Sequence, residues 1–250
     1  MSGRPERLSI IVPVYNEAAT VRAVVDRLLT IDLPVPREIL VVDDGSSDGT
    51  GHVLDNAARE GLAVIVIRMP QNGGKGSAIR AGLARASGTI VAIQDADLEL
   101  DPAQLATLVK PIVNGDVSVV YGSRFLDGAS RVPRMTIAGN RMLTAATNLL
   151  YGSAITDMET CYKIMRVEIA RSLKLTASRF DIEPQITARL LRGGHHIHEV
   201  PVRFAPRSKA EGKKIKWRDG VHALRVLVRE RFGHNARHDQ LEEDATLHRR

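Results

Sequence analysis

The chain has 250 residues, 44% of them hydrophobic, which is enough to bury one sizeable α/β core, and no break in composition divides it into two independent domains. Its net charge of +6 suits an anionic partner, but the 4% aromatic content and the lack of nucleic-acid-binding motifs argue against nucleic acid. Cys161 is the only cysteine, which excludes an intramolecular disulfide and suits a reducing compartment.

The first half of the chain alternates apolar runs with segments of helical spacing. Such β-α repetition predicts a mainly parallel sheet flanked by helices. The predicted strands are the run Leu8 to Glu17, which Pro13 interrupts, and Ile39 to Val42, Val64 to Ile67, Ile90 to Ile93 and Val117 to Tyr121. Apolar residues at helical spacing predict four intervening helices, the last of them carrying Leu105, Leu108, Val109 and Ile112.

The second half loses this rhythm. It predicts, in order, a helix over Arg134 to Gly152, a strand over Cys161 to Arg166, a helix over Phe180 to Arg192, a strand over His196 to Phe204 and a last helix striped by Trp217, Val221, Leu224 and Val228. The polar residues 233–250 are predicted to be a disordered tail, and residues 1–7 a short N-terminal tail.

An acidic cluster follows the run Ile90 to Ile93. In an extended backbone alternate side chains share a face, so Asp95, Asp97 and Glu99 are expected to point the same way. Three carboxylates on one face would seat Mg²⁺ or Mn²⁺. The alternative is that the acids only begin the next helix, with Asp101 as its N-cap and Pro102 at its first position.

Five motifs, VPVYNE, VVDDGSSDGT, NGGKGSAIRAG, DADLE and YGSRF, occur in this order. In these motifs the chain resembles the family 2 glycosyltransferases of the GT-A fold, and most closely the branch that makes dolichyl-phosphate or polyprenyl-phosphate sugars. The resemblance implies a Rossmann-like nucleotide-sugar-binding domain over residues 8–232. It divides this domain into a nucleotide-binding half, 8–126, and an acceptor half, 127–232, with a basic lid and a C-terminal helix.

The resemblance also implies a donor site. Pro13, Tyr15 and Glu17 would line the base, and Val42 and Asp44 would lie at the base or ribose edge. The turn does not require Asp44, since Gly45 and Ser46 supply it. Lys75 in the Gly-rich loop would face phosphate, and the alternative is a solvated loop lysine, which is the more common role of such a residue. The segment Asp95, Ala96 and Asp97 would hold the diphosphate through the cation, with Glu99 as a further ligand.

On the acceptor side, the resemblance assigns Arg124 to a phosphate, with Arg131 as a looser match. Arg207 and Lys213 would close over the diphosphate as a lid. Asp157 is placed near the acceptor. It would act as a general base if the acceptor were a hydroxyl and as an orienting group if it were a phosphate, which is already anionic at pH 7. A metal site at His195, His196 and His198 is not expected.

These features predict a metal-dependent, inverting hexosyltransferase that uses UDP-glucose or GDP-mannose and a polyprenyl phosphate acceptor. The alternatives are a soluble phosphorylated or saccharide acceptor, or a nucleotide-sugar-binding subunit without turnover. The opening residues lack a secretory leader, and no run reaches the ~18 apolar residues of a spanning helix. A cytoplasmic protein is therefore expected, peripheral on the inner face of the membrane and with a separate membrane-spanning subunit as a conceivable partner. The segments Arg134 to Gly152 and Arg203 to Arg231 would contact anionic lipid, and the second carries ten Lys or Arg against three acids.

Overall fold

The computed structural model describes residues 5–126, 134–206 and 217–233, with side chains except at 134–136 and 217–219. Within these ranges seven strands form one sheet: Leu8–Val14 (β1), Arg37–Asp43 (β2), Ile65–Arg68 (β3), Ile90–Ile93 (β4), Val119–Ser123 (β5), Lys163–Arg166 (β6) and His198–Pro201 (β7). The helices are Val21–Thr30 (α1), Thr50–Arg59 (α2), Lys75–Arg85 (α3), Leu105–Val113 (α4), Arg134–Tyr151 (α5), Val167–Ser172 (α6), Ile182–Arg192 (α7) and Trp217–Phe232 (α8).

The strand order is β3-β2-β1-β4-β6-β5-β7. Strands β3, β2, β1 and β4 are parallel to one another, and β5 is parallel to β7, whereas β6 runs antiparallel to both β4 and β5. The predicted mainly parallel sheet flanked by helices is therefore confirmed. The strand order reverses between β1 and β4, because β2 and β3 lie on one side of β1 and β4 lies on the other.

The helices follow from apolar spacing. In α1, Val21, Val24, Val25 and Leu28 are buried at intervals of three and four residues, and α4 buries Leu105, Leu108, Val109 and Ile112 in the same way. Asp101 accepts a hydrogen bond from the Ala103 N–H at 3.0 Å and precedes a 3-10 turn at Pro102–Gln104. The predicted cap at Asp101 is confirmed.

Several predicted bounds were too wide. The strand expected from Cys161 begins at Lys163, the helix expected from Phe180 begins at Ile182, and the strand expected over His196 to Phe204 is reduced to His198–Pro201. At Phe204 one isolated bridge to Leu100 remains, because the chain leaves the sheet after β7.

Some predictions lie outside the described residues: the disordered tail beyond Gly233, and the roles of Arg131, Arg207 and Lys213. Within the described part of the chain, no helix combines the length and apolar character needed to cross a membrane.

Candidate functional site

The candidate site lies at the carboxyl ends of β1, β2 and β4. These strands are parallel neighbours, so the residues that follow Val14, Asp43 and Ile93 emerge at one edge of the sheet. The β1–β4 boundary is the point where the strand order reverses, and open α/β sheets bind ligands in the crevice outside such a point. The sheet therefore brings the predicted motifs VPVYNE, VVDDGSSDGT and DADLE together.

The segment after β1 is fastened to the turn after β2. Asn16 has a positive φ of 54°, and its side chain accepts a hydrogen bond from the Ser47 N–H at 2.8 Å. The Asn16 N–H donates to the Ser46 hydroxyl at 3.0 Å, and the Glu17 N–H donates to the Thr50 hydroxyl at 3.0 Å. Tyr15 is exposed beside this junction. Asn16, Ser46 and Thr50 thus fix the backbone that carries Tyr15 and Glu17, a role that the sequence analysis missed.

Asp44 holds the Gly-rich loop, a structural role that the sequence analysis did not predict. Its two carboxylate oxygens accept hydrogen bonds from the Gly73 and Gly74 N–H groups at 2.8 and 2.7 Å, and its side chain is buried. The Val42 and Ala96 side chains are also buried. A ligand would therefore meet Val42 and Ala96 only through their backbone.

The acidic segment is a turn and not an extended strand. β4 ends at Ile93, residues 96–99 turn, and Leu98 has a left-handed φ of 61°. The alternation argument that placed Asp95, Asp97 and Glu99 on one face is therefore wrong, because it holds only for extended backbone. The Asp97 carboxylate instead accepts a hydrogen bond from the Glu99 N–H at 3.1 Å.

Buried polar side chains support this turn from below. The Gln94 amide donates to the carbonyls of Asp95 and Leu100 at 3.0 and 3.2 Å, and its oxygen lies 2.7 Å from the Tyr162 hydroxyl. The same hydroxyl lies 2.9 Å from the Asp101 carbonyl. Gln94 and Tyr162 thus fix both ends of the turn, and neither was singled out from the sequence.

The carboxylates fit a divalent cation shared with a substrate better than a closed metal cage. Among the described side chains, no three His, Cys, Asp or Glu groups gather closely enough to hold an ion by themselves. Mg²⁺, however, is usually bound in proteins by one or two carboxylates together with substrate phosphates and water. Asp95 and Asp97, partly exposed at the crevice, supply hard oxygen donors of this kind.

Lys75 forms an ion pair with Asp95. The Lys75 ammonium lies 2.8 and 3.1 Å from the two Asp95 carboxylate oxygens and 2.9 Å from Glu183 Oε1. Burial alone would lower the pKa of Lys75, but Asp95 and Glu183 raise it well above its usual value. Burial alone would raise the pKa of Asp95, but Lys75 brings it below its usual value. Lys75 was predicted to face phosphate; in this structure it pairs with protein carboxylates.

Two glycines let the start of α3 approach the segment before α7. A Cβ on Gly76 would lie 2.5 Å from the Ala177 carbonyl oxygen, and one on Gly74, whose φ is +90°, would lie 2.5 Å from the Ser178 carbonyl oxygen. The Ser77 N–H donates to the Ser178 carbonyl at 3.0 Å. This close packing places Lys75, the first residue of α3, beside Glu183 on α7.

Arg124 and Asp157 form a buried ion pair. The Arg124 Nε and Nη2 groups donate to the two Asp157 oxygens at 2.7 and 2.8 Å, and the Arg124 backbone N–H donates to the same carboxylate at 3.1 Å. The Asp157 side chain has no exposed surface, and that of Arg124 is 11% exposed. The structure thus joins two residues predicted for the acceptor side, with Asp157 as the holder of Arg124.

Glu159 has an unusual environment next to this pair. Its Oε1 is buried and has no hydrogen-bond partner among the described residues. Burial raises the pKa of Glu159 to about 7, with Glu183 and Asp157 adding to the shift and Lys163 and Arg124 opposing it. The sequence analysis did not single out Glu183, whose neighbours on α7 are almost all buried in the structure.

The comparisons with known proteins agree with this geometry. The family described as "Glycosyl transferase family 2" matches residues 9–174. The chain is 32% identical over 218 residues to the undecaprenyl-phosphate mannosyltransferase of Micrococcus luteus, covering 83% of this chain and 87% of that protein. It is 38% identical over 141 residues to the undecaprenyl-phosphate 4-deoxy-4-formamido-L-arabinose transferase of Serratia proteamaculans, covering 53% of this chain and 43% of that protein.

Among solved structures, glucosyl-3-phosphoglycerate synthase from Mycobacterium tuberculosis, in complex with Mn²⁺, UDP and glucosyl-3-phosphoglycerate, is similar with a TM-score of 0.68. The match covers 90% of this chain and 78% of that one at 22% identity, which shows a shared fold.

Proposed function

We propose, since the chain belongs to glycosyl transferase family 2, that it moves a hexose with inversion from a nucleotide sugar to a polyprenyl phosphate. The family predicted from the five motifs is confirmed, as is the GT-A type of fold. One observation carries the proposal: the acidic turn with Asp95 and Asp97 lies at the strand-order reversal, where this kind of sheet binds nucleotides. The relative from Micrococcus luteus, named for transfer to undecaprenyl phosphate, supports the lipid acceptor.

The donor is a nucleoside diphosphate hexose. The Mycobacterium tuberculosis structure contains UDP and the Micrococcus luteus protein is named for mannose, so UDP-glucose and GDP-mannose are both tested below. Tyr15 and Glu17, held at the end of β1, would contact the base, with Pro13 beside them. The backbone near Val42 and Asp44 would meet the base or ribose.

Asp95 and Asp97 would hold Mg²⁺ or Mn²⁺, with Glu99 close to the same turn. When bound, the cation neutralises charge that develops on the leaving nucleoside diphosphate. The protein's own contribution is to fix the backbone of the turn through Gln94 and Tyr162, so that the turn is already formed before the donor binds.

On the acceptor side, Arg124 would face the phosphate, and Arg207 and Lys213 would close over the diphosphate. A phosphate is already an anionic nucleophile at pH 7, so the transfer needs orientation and no side-chain base. The burial of Asp157 suits this acceptor, because a carboxylate enclosed by Arg124 is better placed to orient than to remove a proton. The acceptor's polyprenyl chain would place the enzyme on the inner face of the membrane, where a membrane-spanning partner subunit could meet it.

The test is a matrix of donors and acceptors. Purified protein is incubated with UDP-glucose or GDP-mannose, with Mg²⁺ or Mn²⁺, and with a polyprenyl phosphate, 3-phosphoglycerate or water. Nucleoside diphosphate release and the glycosylated product are both measured. We expect release that requires both the cation and the polyprenyl phosphate. Turnover with 3-phosphoglycerate only would show that the acceptor is a small phosphorylated acid and not a lipid. If no pair gives nucleoside diphosphate release, the protein would be a nucleotide-sugar-binding subunit without turnover.

Asp97→Asn provides the matching variant. It should lose at least ~10²-fold in turnover while unfolding at the same temperature as the wild type, because it removes leaving-group stabilisation and not packing. Asp32→Asn, at an exposed position before β2, serves as the control for loss of a carboxylate. Full turnover in EDTA would show that the cation is not required.

A further inference from the structure

Four alternating charges connect the acidic turn to the protein interior. Asp95 pairs with Lys75, Lys75 with Glu183 at 2.9 Å, and Glu183 with Lys163 at 2.5 Å. The exposed side-chain fraction falls along this series of four charged residues from 27% at Asp95 to 0% at Lys163. The formal charges cancel, so the inner members can remain charged out of water.

Lys163 and Lys75, the two positive members of this series, differ in how firmly their ammonium groups are held. Lys163 donates to the carbonyls of Met158 and Thr160 as well as to Glu183, and its ammonium lies 4.9 Å from the centre of the Tyr121 ring. Glu183 is thereby anchored through Oε2. Lys75, in contrast, reaches both carboxylates from the first residue of α3 on a flexible four-carbon side chain.

Glu183 Oε1 already forms an ion pair with the Lys75 ammonium at 2.9 Å. This oxygen is buried, and among the described residues it makes no contact with the geometry of a regular hydrogen bond. Lys75 therefore has a second, pre-formed partner and can leave Asp95 without losing a counter-charge. A divalent cation at Asp95 would repel the ammonium, and Glu183 is placed to receive it.

We infer that Glu183 is a positioning residue that draws Lys75 away from Asp95 and so frees this carboxylate to bind a divalent cation. Lys75 is the internal competitor of the cation, and Glu183 sets how strongly it competes. This inference rests on the proposed function only in taking Asp95 as a cation ligand. It assigns a role in that site to a residue of α7, outside the loops at the strand ends.

The test measures Mn²⁺ alone, without nucleotide, by the loss of its free electron paramagnetic resonance signal. Lys75→Gln should bind Mn²⁺ about tenfold more tightly than the wild type, because the competitor is gone. Glu183→Gln should bind it about tenfold more weakly, because Lys75 then keeps Asp95 as its only partner. Lys110→Gln, on the exposed side of α4, controls for the loss of a positive charge elsewhere.

The double variant separates positioning from simple electrostatics. If Glu183 acts through Lys75, then Glu183→Gln should change Mn²⁺ affinity little in the Lys75→Gln background. An equal weakening in both backgrounds would mean that Glu183 acts by its own charge, and the inference would be overturned. Should Glu183→Gln not fold, Lys75→Gln decides alone: affinity equal to or weaker than that of the wild type contradicts the competition.

The two proposals fail in different ways. If neither the wild type nor Lys75→Gln binds Mn²⁺, with or without UDP, then the cation site of the proposed function is absent and the inference falls with it. If the wild type binds Mn²⁺ and turns over but Lys75→Gln does not bind it more tightly, the proposed function stands and the inference about Glu183 is wrong.

Discussion

The ion pair between Arg124 and Asp157 gives the first prediction at the residue scale. Both groups are almost wholly buried, and removing one partner leaves the other charge without compensation. Asp157→Asn should therefore reduce the free energy of unfolding by about 3–5 kcal/mol, measured by urea denaturation. Glu60→Gln, which breaks the exposed pair with Arg22, should change it little. Equal small effects of the two variants would show that Arg124 finds another partner.

Glu159 gives a prediction about pH. Its pKa is raised from 4.5 to about 7 in the folded protein, so between these values the folded state holds a proton that the unfolded state has lost. The contribution of Glu159 to the free energy of unfolding is therefore fully present below pH 4.5 and is lost as the pH rises through 7. Glu159→Gln lacks this dependence. Relative to the wild type it should gain roughly 3 kcal/mol between pH 4.5 and pH 8.

The measurement is urea unfolding of both proteins at several pH values, with Glu168→Gln as the control for an exposed carboxylate. If the difference in unfolding free energy between wild type and Glu159→Gln stays constant with pH, Glu159 ionises in the folded protein as freely as in the unfolded chain.

At the scale of the element, Gly76 carries a prediction because its Cβ would meet backbone. Gly76→Ala forces the start of α3 away from Ala177, which should destabilise the protein by about 1–3 kcal/mol. The same shift moves Lys75, so UDP affinity, measured by calorimetry, should fall as well. Gly139→Ala, in α5 with nothing within 4 Å of its Cβ, should instead stabilise by about 0.5–1 kcal/mol. Unchanged UDP affinity in Gly76→Ala would show that the position of α3 does not affect the donor site.

Helices and strands were predictable from the sequence where their period was regular, and turns were not. The spacing of Val21, Val24, Val25 and Leu28 reports burial on one helix face, so α1 was found from the sequence. The turn after β4 was misjudged because a left-handed residue at Leu98 ends the extended alternation. No local signal marks such a position when the residue is Leu, a side chain that rarely adopts positive φ.

At the scale of the whole molecule, the strand order decides what the sequence could not reveal. The motifs predicted a shared site because the ends of neighbouring parallel strands meet, and this needs only the β-α rhythm. The pair of Lys75 and Glu183 depends on the packing of α3 against the segment before α7. A contact across more than one hundred residues leaves no period in the sequence, so Glu183 could be found only in three dimensions.

The helices α5 and α8 each expose a stripe of apolar side chains. On α8, the apolar residues Val221, Leu224, Val228 and Phe232 are all exposed, and Phe232 is 68% exposed. At 100° per residue they form one stripe, with Arg225 and Arg229 on one side and Arg231 on the other. On α5, Ala138, Met142, Ala145 and Leu149 form a second exposed stripe, and Leu149 is 87% exposed.

These helices are joined at their C-terminal ends. The Tyr151 hydroxyl donates to the Leu227 carbonyl at 2.7 Å, and the Arg231 guanidinium lies 5.9 Å from the centre of the Tyr151 ring. Exposed apolar stripes bordered by arginine are typical of helices that lie in the interface of an anionic membrane. The polyprenyl phosphate acceptor of the proposed function would be found at such a surface.

The last prediction therefore concerns Val228 and Phe232, at the C-terminal end of the α8 stripe. Val228→Ser combined with Phe232→Ser should abolish flotation with anionic vesicles, because burial of these side chains holds the helix in the interface. Nucleoside diphosphate release with a short, water-soluble isoprenyl phosphate should remain, since the stripe lies outside the donor site. Raising the salt concentration should weaken wild-type binding, each basic side chain near the surface contributing ~1 kcal/mol. Ile65→Thr, an exposed apolar change on the edge strand β3, should float like the wild type. Failure of the wild type to bind anionic vesicles at low salt would contradict the membrane surface, and a dimer in sedimentation that the double variant loses would assign the stripe to a second copy of the chain.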